Sequence, residues 1–540
     1  MALQVWLPLN GNIENKGLSD ISVTNVGATV NSGGKIGKCY YFNGSSQYLQ
    51  FDKSLPNLYC EDFSWALWVK PTDDSRGILI SEYASTGSSN VALELLANRQ
   101  IRVYWDQSPD WSTGVYVNSN VWSHIAVTKS ENLLKVYVNG ELKATGNYTL
   151  ADKTSSSKIR IGDDYRGGTA VSYQGYLNDV RIYNHCLSPK EVKEISKGLV
   201  LHYKMDDGCL KTANNLVTGL TGGGQCTISN NIVTVSGSNS DTYFYLNTSA
   251  ALTSGKTYKI SCIGNFDNGK YYYFPIGGQS NTSPGQLLVK NGYCSLVFTA
   301  NSTIQNNGTK IIMDDISRSP GAGTITNIML EEVNGIYDCS GFGYNSAITS
   351  TTAPISDSDS PRYNNCFNFD TTGKYITCPV IDFSGMSSSY SFAWWGKTPS
   401  WDGLMYWGFV NGNRLNYYSG YYWNTGDGSN NPFYSSGTTT ITRPSINVWH
   451  HYVVTGNGSA TKLYVDGNLY GTAKTNQNIT GTQIYIHGWD SSVSYKNAGD
   501  RISDFRIYAT PLSAEDVKEL YNTSAIICNN GTVMAYSLEE

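Results

Sequence analysis

The chain has 540 residues and a formal net charge of −5, from 38 Lys and Arg against 43 Asp and Glu. No Lys/Arg run occurs, so the basic footprint of a nucleic-acid or anionic-membrane partner is missing. Charged residues make up 15% and aromatics 13%, with 54 Gly and 40 Tyr. That excludes a disordered chain and suits short strands joined by many turns. At about 100–200 residues per domain, the length predicts about three to five domains.

The opening Met1-Ala2-Leu3-Gln4-Val5-Trp6-Leu7-Pro8-Leu9 reads as a strand, not a leader, because it has no basic n-region and no long apolar run. Nothing approaches the roughly 18 apolar residues of a membrane span, so no membrane insertion is expected. The eleven Cys are odd in number and lack framework spacing. They read as reduced thiols of a chain folded in a cytoplasm.

A repeat then becomes visible. Cys39-Tyr40-Tyr41-Phe42 recurs as Cys366-Phe367-Asn368-Phe369, at an offset of 327. At the same offset Ser64-Trp65-Ala66-Leu67-Trp68 recurs as Ser391-Phe392-Ala393-Trp394-Trp395, and Trp122-Ser123-His124 as Trp449-His450-His451. Lys135-Val136-Tyr137-Val138-Asn139-Gly140 recurs as Lys462-Leu463-Tyr464-Val465-Asp466-Gly467. The alternation predicts strands, and Asn-Gly and Asp-Gly predict type I′ hairpin turns. At an offset of 325, Asp179-Val180-Arg181-Ile182-Tyr183 meets Asp504-Phe505-Arg506-Ile507-Tyr508. One short helix follows in each copy. Ser188 caps the first, with Pro189 at N1 and Glu191 closing a capping box. Ser513 caps the second, with Asp516 at N3.

The first strand of copy two is displaced. Val5-Trp6-Leu7-Pro8-Leu9 resembles Leu201-His202-Tyr203-Lys204-Met205, yet Leu9 to Cys39 is 30 residues while Met205 to Cys366 is 161. The excess is the size of a domain. Sandwich termini lie close together, which makes insertion cheap. The segment carries its own alternating runs at Thr257-Tyr258-Lys259-Ile260-Ser261 and Ser295-Leu296-Val297-Phe298-Thr299. The expected class is all-β, with multi-domain antiparallel β-sandwiches. Residues 1–197 form one sandwich, and 198–212 supply the first strand of a second. Residues 213–333 are an inserted sandwich, 334–527 complete the second, and 528–540 are a tail.

These ordered motifs resemble the bacterial and phage branch of laminin-G-like, concanavalin A-like jelly rolls. The insert is similar to carbohydrate-binding modules through Asn214-Asn215-Leu216 and Asn327-Ile328-Met329-Leu330-Glu331. Ala2 to Gly11 and Asn529 to Tyr536 resemble structural proteins of phages and prophages of Gram-positive hosts. That resemblance implies a virion tail or appendage protein, folded in the host cytoplasm and acting outside. Its partners would be host surface polysaccharide and other virion proteins, with a homo-oligomer expected in the particle.

The jelly roll also carries enzymes, so fold alone does not decide. No Glu-x-Asp-x-Glu strand, Gly-x-Ser-x-Gly elbow, P-loop or His-Glu-x-x-His is present. A non-catalytic binder is therefore expected. His124 and His451 read as packed sandwich residues. Sugar sites combine aromatic faces with a few orienting polar groups. Three clusters qualify. The first is Trp105-Asp106-Gln107 with Trp111 and Tyr165, and the second is Tyr271-Tyr272-Tyr273. The third, and densest, is Trp401, Trp407, Tyr417, Tyr418, Tyr421, Tyr422 and Trp423. Each is open to the ordinary reading of aromatics as strand core. The laminin-G resemblance also implies a calcium ion at a sandwich rim, for which Asp163, Asp164 and Asp490 could serve, or else stand as solvated turn carboxylates. Three rivals to a receptor-binding function remain: a purely structural or decoration virion protein, a polysaccharide depolymerase, and an extracellular bacterial adhesin.

Overall fold

The structure is a computed structural model. It describes residues 3–536 apart from 56–61, 83–90, 106–109, 149–157, 166–170, 238–241, 268, 278–285, 303, 305–309, 315–316, 320, 349–353, 364, 402–405, 411, 418–420, 425–429, 434–442, 476, 490–496, 523 and 529–531. The protein is all-β, built from antiparallel sheets packed as sandwiches.

The larger sheets of the two repeats match strand for strand. In the first, the larger sheet runs Glu141–Asn147, Leu133–Val138, Ser123–Ser130, Phe63–Pro71, Gln174–Tyr183, Cys39–Asn43, Thr29–Asn31. In the second it runs Asn468–Thr475, Ala460–Val465, His450–Asn457, Ser389–Lys397, Asp500–Tyr508, Cys366–Phe369, Ile355–Asp357. A seven-stranded sheet covers the first and a six-stranded sheet the second. The predicted hairpin turns take positive φ at both residues, 51° and 81° at Asn139 and Gly140, and 50° and 79° at Asp466 and Gly467. Ser188 and Glu191 close a capping box on helix Pro189–Ser196. Ser513 Oγ accepts from Asp516 N at 3.1 Å to cap helix Ala514–Asn522.

The quasi-symmetry extends to a buried bulge. Asp179 and Asp504 have φ of 53° and 57°, each at a register shift in its strand. Asp179 N donates to Pro8 O at 3.1 Å and Asp504 N to Lys204 O at 3.0 Å. Asp179 accepts from Trp6 Nε1 at 2.6 Å, and Asp504 stands 2.9 Å from His202 Nε2. Each bulge aspartate also pairs with the arginine two residues on, Arg181 or Arg506. Trp6 and His202 thus occupy one structural position, 196 residues apart in sequence.

Strand Leu199–Tyr203 pairs with Asp500–Tyr508, so the sheet closes across some 300 residues. Between them, Leu210–Thr212 pairs with Ala322–Ile336, bringing Thr212 opposite Val333. Segment 213–333 has a sheet ordered Cys226–Ser229, Ile232–Ser236, Ala322–Ile336, Thr257–Phe266, Gly292–Thr299, faced by two three-stranded sheets. Its core is a separate cluster that includes Phe244, Tyr272, Phe274 and Leu330. Val297 of this segment packs instead in the cluster of the second jelly roll, and the two jelly rolls share apolar contacts of their own: Trp6 meets Phe342 edge-on at 5.5 Å.

Candidate functional site

Strand Tyr271–Pro275 lies between Gln286–Val289 and Ser317–Ser319. Period two sends Tyr272 and Phe274 inward, where both are fully buried. Their rings stack at 5.8 Å and 13°, and Tyr272 Oη donates to Gly321 O at 3.0 Å. Tyr271 and Tyr273 face outward, half-buried, with ring centroids 5.6 Å apart and nearly perpendicular. Together with Gly269, Lys270, Leu288, Lys290 and Asn291 they line a groove of about 570 Å³. Asn291 braces one wall, accepting from Phe266 N at 2.6 Å and donating to Phe266 O at 3.1 Å. A rigid aromatic floor flanked by two lysines can stack sugar C–H faces and hydrogen-bond their hydroxyls. The tyrosine run gave the sequence signal for this groove. Lys270 adjoins the run in sequence, but Lys290 and Asn291 carried no signal, because only strand pairing brings them beside the rings.

Three predicted sugar contacts are corrected. Tyr272 is core, as above. Trp407 is fully buried, stacked on Phe392 at 4.4 Å and 17°, so its face is unavailable to ligand. Trp111 is also buried, at 8% exposure, and packs against Tyr148 at 5.7 Å. Dense aromatics in these sandwiches fill volume first. Trp401 is half-buried and packs on the same core as Trp407. Tyr417 lies on strand Arg414–Tyr417, and Tyr421, Tyr422 and Trp423 on the adjacent Tyr421–Asn424, with Tyr417 opposite Tyr421. Tyr418, Asp106 and Gln107 lie outside the described residues. Trp105 ends strand Gln100–Trp105. The Tyr165 ring lies 3.7 Å from the Arg160 guanidinium, which Tyr48 covers at 3.9 Å on another side.

His124 and His451 are packed as the sequence suggested. Their rings meet Trp68 and Trp395 at 5.2 and 5.1 Å. Burial pushes both imidazoles down to about 3. Asp163 and Asp164 are buried, Asp164 N donating to Asp163 Oδ1 at 2.8 Å. Burial raises the Asp163 carboxyl. Among the described residues no group of three or more His, Cys, Asp or Glu could hold a metal ion. Asp490 lies outside them.

Paired jelly rolls of this kind define a concanavalin-type β-sandwich protein. The family model described as "Concanavalin A-like lectin/glucanases superfamily" matches residues 43–193 and 370–518, more than half the chain. The chain belongs to that family. It is 25% identical over 238 residues to the "Non-toxic nonhemagglutinin" of Paraclostridium bifermentans, covering 37% of this chain but 20% of that protein. A rat protein, "Sushi, von Willebrand factor type A, EGF and pentraxin domain-containing protein 1", is 26% identical over 198 residues, covering 33% of this chain and 5% of the relative. The chain thus spans a fifth or less of these relatives' lengths. Among solved structures, the binding domain of Paraclostridial Mosquitocidal Protein 1 aligns with a TM-score of 0.31 at 14% identity, covering 60% of this chain and 92% of that one. Domain 4 of AbnA, an arabinanase of Geobacillus stearothermophilus in complex with arabinotriose, aligns with a TM-score of 0.30 at 20% identity, covering 36% and 98%.

Proposed function

We propose that this chain is a non-catalytic attachment protein that binds cell-surface polysaccharide through the Tyr271/Tyr273 groove. The two jelly rolls act as its scaffold. The observation that carries this reading is the pair of outward tyrosine rings, held from beneath by buried Tyr272 and Phe274. Residues 213–333 act in it as an inserted carbohydrate-binding domain, a reading supported by their separate core and by the pairing of Leu199–Tyr203 with Asp500–Tyr508. The resemblance of Ala2 to Gly11 to phage structural proteins supports a virion appendage as its setting, folded in the host cytoplasm and multivalent in the particle. Weak sugar sites gain avidity when linked.

The test is binding of the purified chain to intact candidate host cells, before and after their surface polysaccharide is stripped. Wild type is compared with Tyr271→Ala/Tyr273→Ala and with Tyr421→Ala/Tyr422→Ala/Trp423→Ala. Each lost ring is expected to cost about 1–2 kcal/mol of affinity. Glycan-dependent binding lost in the first variant alone supports the groove. Loss only in the second moves the site to the second jelly roll. Reducing ends released from the polysaccharide would overturn the non-catalytic reading.

A further inference from the structure

A second cleft, of about 330 Å³, opens where the two jelly rolls meet. It sits at the small end of the range of about 300–1,000 Å³ typical of ligand sites. Its first wall carries Lys35, Trp68 and Trp122, and its second Thr510, Pro511 and Asp516, with Lys193 and Lys197 of the connecting helix and its end between them. The walls are fastened together. Gly33 N donates to Asp382 Oδ2 at 3.0 Å, Lys190 pairs with Glu519 at 3.2 Å and Lys193 with Asp516 at 2.7 Å. A Cβ on Gly385 would overlap Gly34 O. The cleft is therefore a fixed part of the fold.

Its charge does not balance. Asp516 is taken by Lys193, and Glu194 by Lys197. Lys35 is left over. It is 6% exposed, its Nζ lies 5.2 Å from the Trp68 ring centroid, and it has no carboxylate or hydrogen-bond acceptor among the described residues. Burial pulls its ammonium down to about 8. A buried charge without a partner is among the costlier features a fold can carry.

The repeat supplies an internal comparison. At the offset of 327, Lys35 corresponds to Arg362 and Trp68 to Trp395. Arg362 stands over Trp395 at 5.1 Å, as Lys35 stands over Trp68. Arg362, however, donates to Leu520 O and, at 2.9 Å, to Tyr521 O, at the end of its helix. The second jelly roll satisfies its cation from within, and the first leaves its cation facing a cleft. Trp68 Nε1 is buried there without an acceptor. Trp395 Nε1 is also without one, so the weight of the argument rests on Lys35 and the cleft.

We propose that this cleft binds the anionic group of an acidic saccharide, a carboxylate or a phosphate, with the oxyanion at Lys35 Nζ and the sugar ring against Trp122. It is separate from the tyrosine groove and does not depend on it. The test is calorimetric titration of the full chain at low salt with sodium D-glucuronate, sn-glycerol 3-phosphate, methyl D-glucoside and inorganic phosphate. At least one acidic probe should bind tenfold or more tightly than methyl glucoside, and whichever of the two binds better names the anion. Lys35→Met should lose at least tenfold in that affinity, and Lys35→Arg should keep most of it. Tyr271→Ala/Tyr273→Ala should leave it unchanged. Trp122→Ala is the second variant and should read as a partial loss. Equal binding by wild type and Lys35→Met overturns the proposal, as does failure of both acidic probes to bind. Inorganic phosphate matching the better acidic probe overturns the saccharide part.

Discussion

Asp504 is the clearest point at which one charge holds a whole sheet. Its carboxylate is 3% exposed. It accepts a two-pronged pair of bonds from Arg506 at 2.8 and 2.9 Å and one from Tyr363 Oη at 3.1 Å. His202 of the displaced first strand stands 2.9 Å away. Burial alone would raise this carboxyl, but Arg506 and His202 outweigh it and hold it well below the usual range. Asp504→Asn keeps the shape, and Asn tolerates the positive φ of 57° as well as Asp does. What it removes is the partner of Arg506, itself 3% exposed. Stranding a buried charge costs about 3–5 kcal/mol, against total stabilities of about 5–15 kcal/mol. At about 2–4 °C per kcal/mol for a domain of this size, the melting temperature should fall by about 6–20 °C. Scanning calorimetry reads the shift directly. Asp504→Asn/Arg506→Met should recover much of it, because the stranded charge is gone. A shift below about 2 °C in the single variant, or no recovery in the double, would refute the assignment of this stability to the ion pair.

Two further outcomes are expected. His124, His202 and His451 are buried neutral, with imidazoles pushed down to about 3, 4 and 3, chiefly by burial. The unfolded chain takes up these protons near pH 6.5 while the folded chain refuses them, so stability should fall as pH drops from about 6.5 toward 4, by about 2–3 kcal/mol per histidine at pH 4.5. Urea midpoints from pH 7 to 4.5 measure the slope, and a flat profile would contradict it. Separately, replacing residues 213–332 with a two-residue Gly turn should leave both jelly rolls folded, since Thr212 and Val333 are already strand partners. The local losses are the packing of Val297 in the core cluster of the second jelly roll and the bond from Lys374 Nζ to Thr299 Oγ1 at 2.9 Å. Loss of the cooperative transition of the second jelly roll, read by calorimetry, would count against an inserted domain.

How far the sequence could be read depends on how local each determinant is. The repeat was legible because its marks sit within single strands and turns: Trp68 with Trp395, His124 with His451, the two Gly-containing hairpins and the two capped helices. The strand closing the second sheet was legible because Leu201-His202-Tyr203 matched Val5-Trp6-Leu7 with no sheet of its own nearby. The bulge at Asp179 and Asp504 appeared only as matching letters. Its positive φ and its bond to Trp6 or His202 need three segments at once. Counting aromatics failed at Trp407, Trp111 and Tyr272 because density alone does not separate a core from a platform. Alternation does, and it separates Tyr271 and Tyr273 from Tyr272. The cleft at Lys35 lay beyond reach for a different reason. Its walls come from segments between residues 35 and 516, and nothing around Lys35 in sequence marks it. Only the repeat does, once the fold shows that Arg362 at the matching position finds carbonyls that Lys35 does not. An internal repeat can therefore stand in for a comparison between proteins: where two copies share a residue's position but not its partner, the copy left unsatisfied marks the place to look for a ligand.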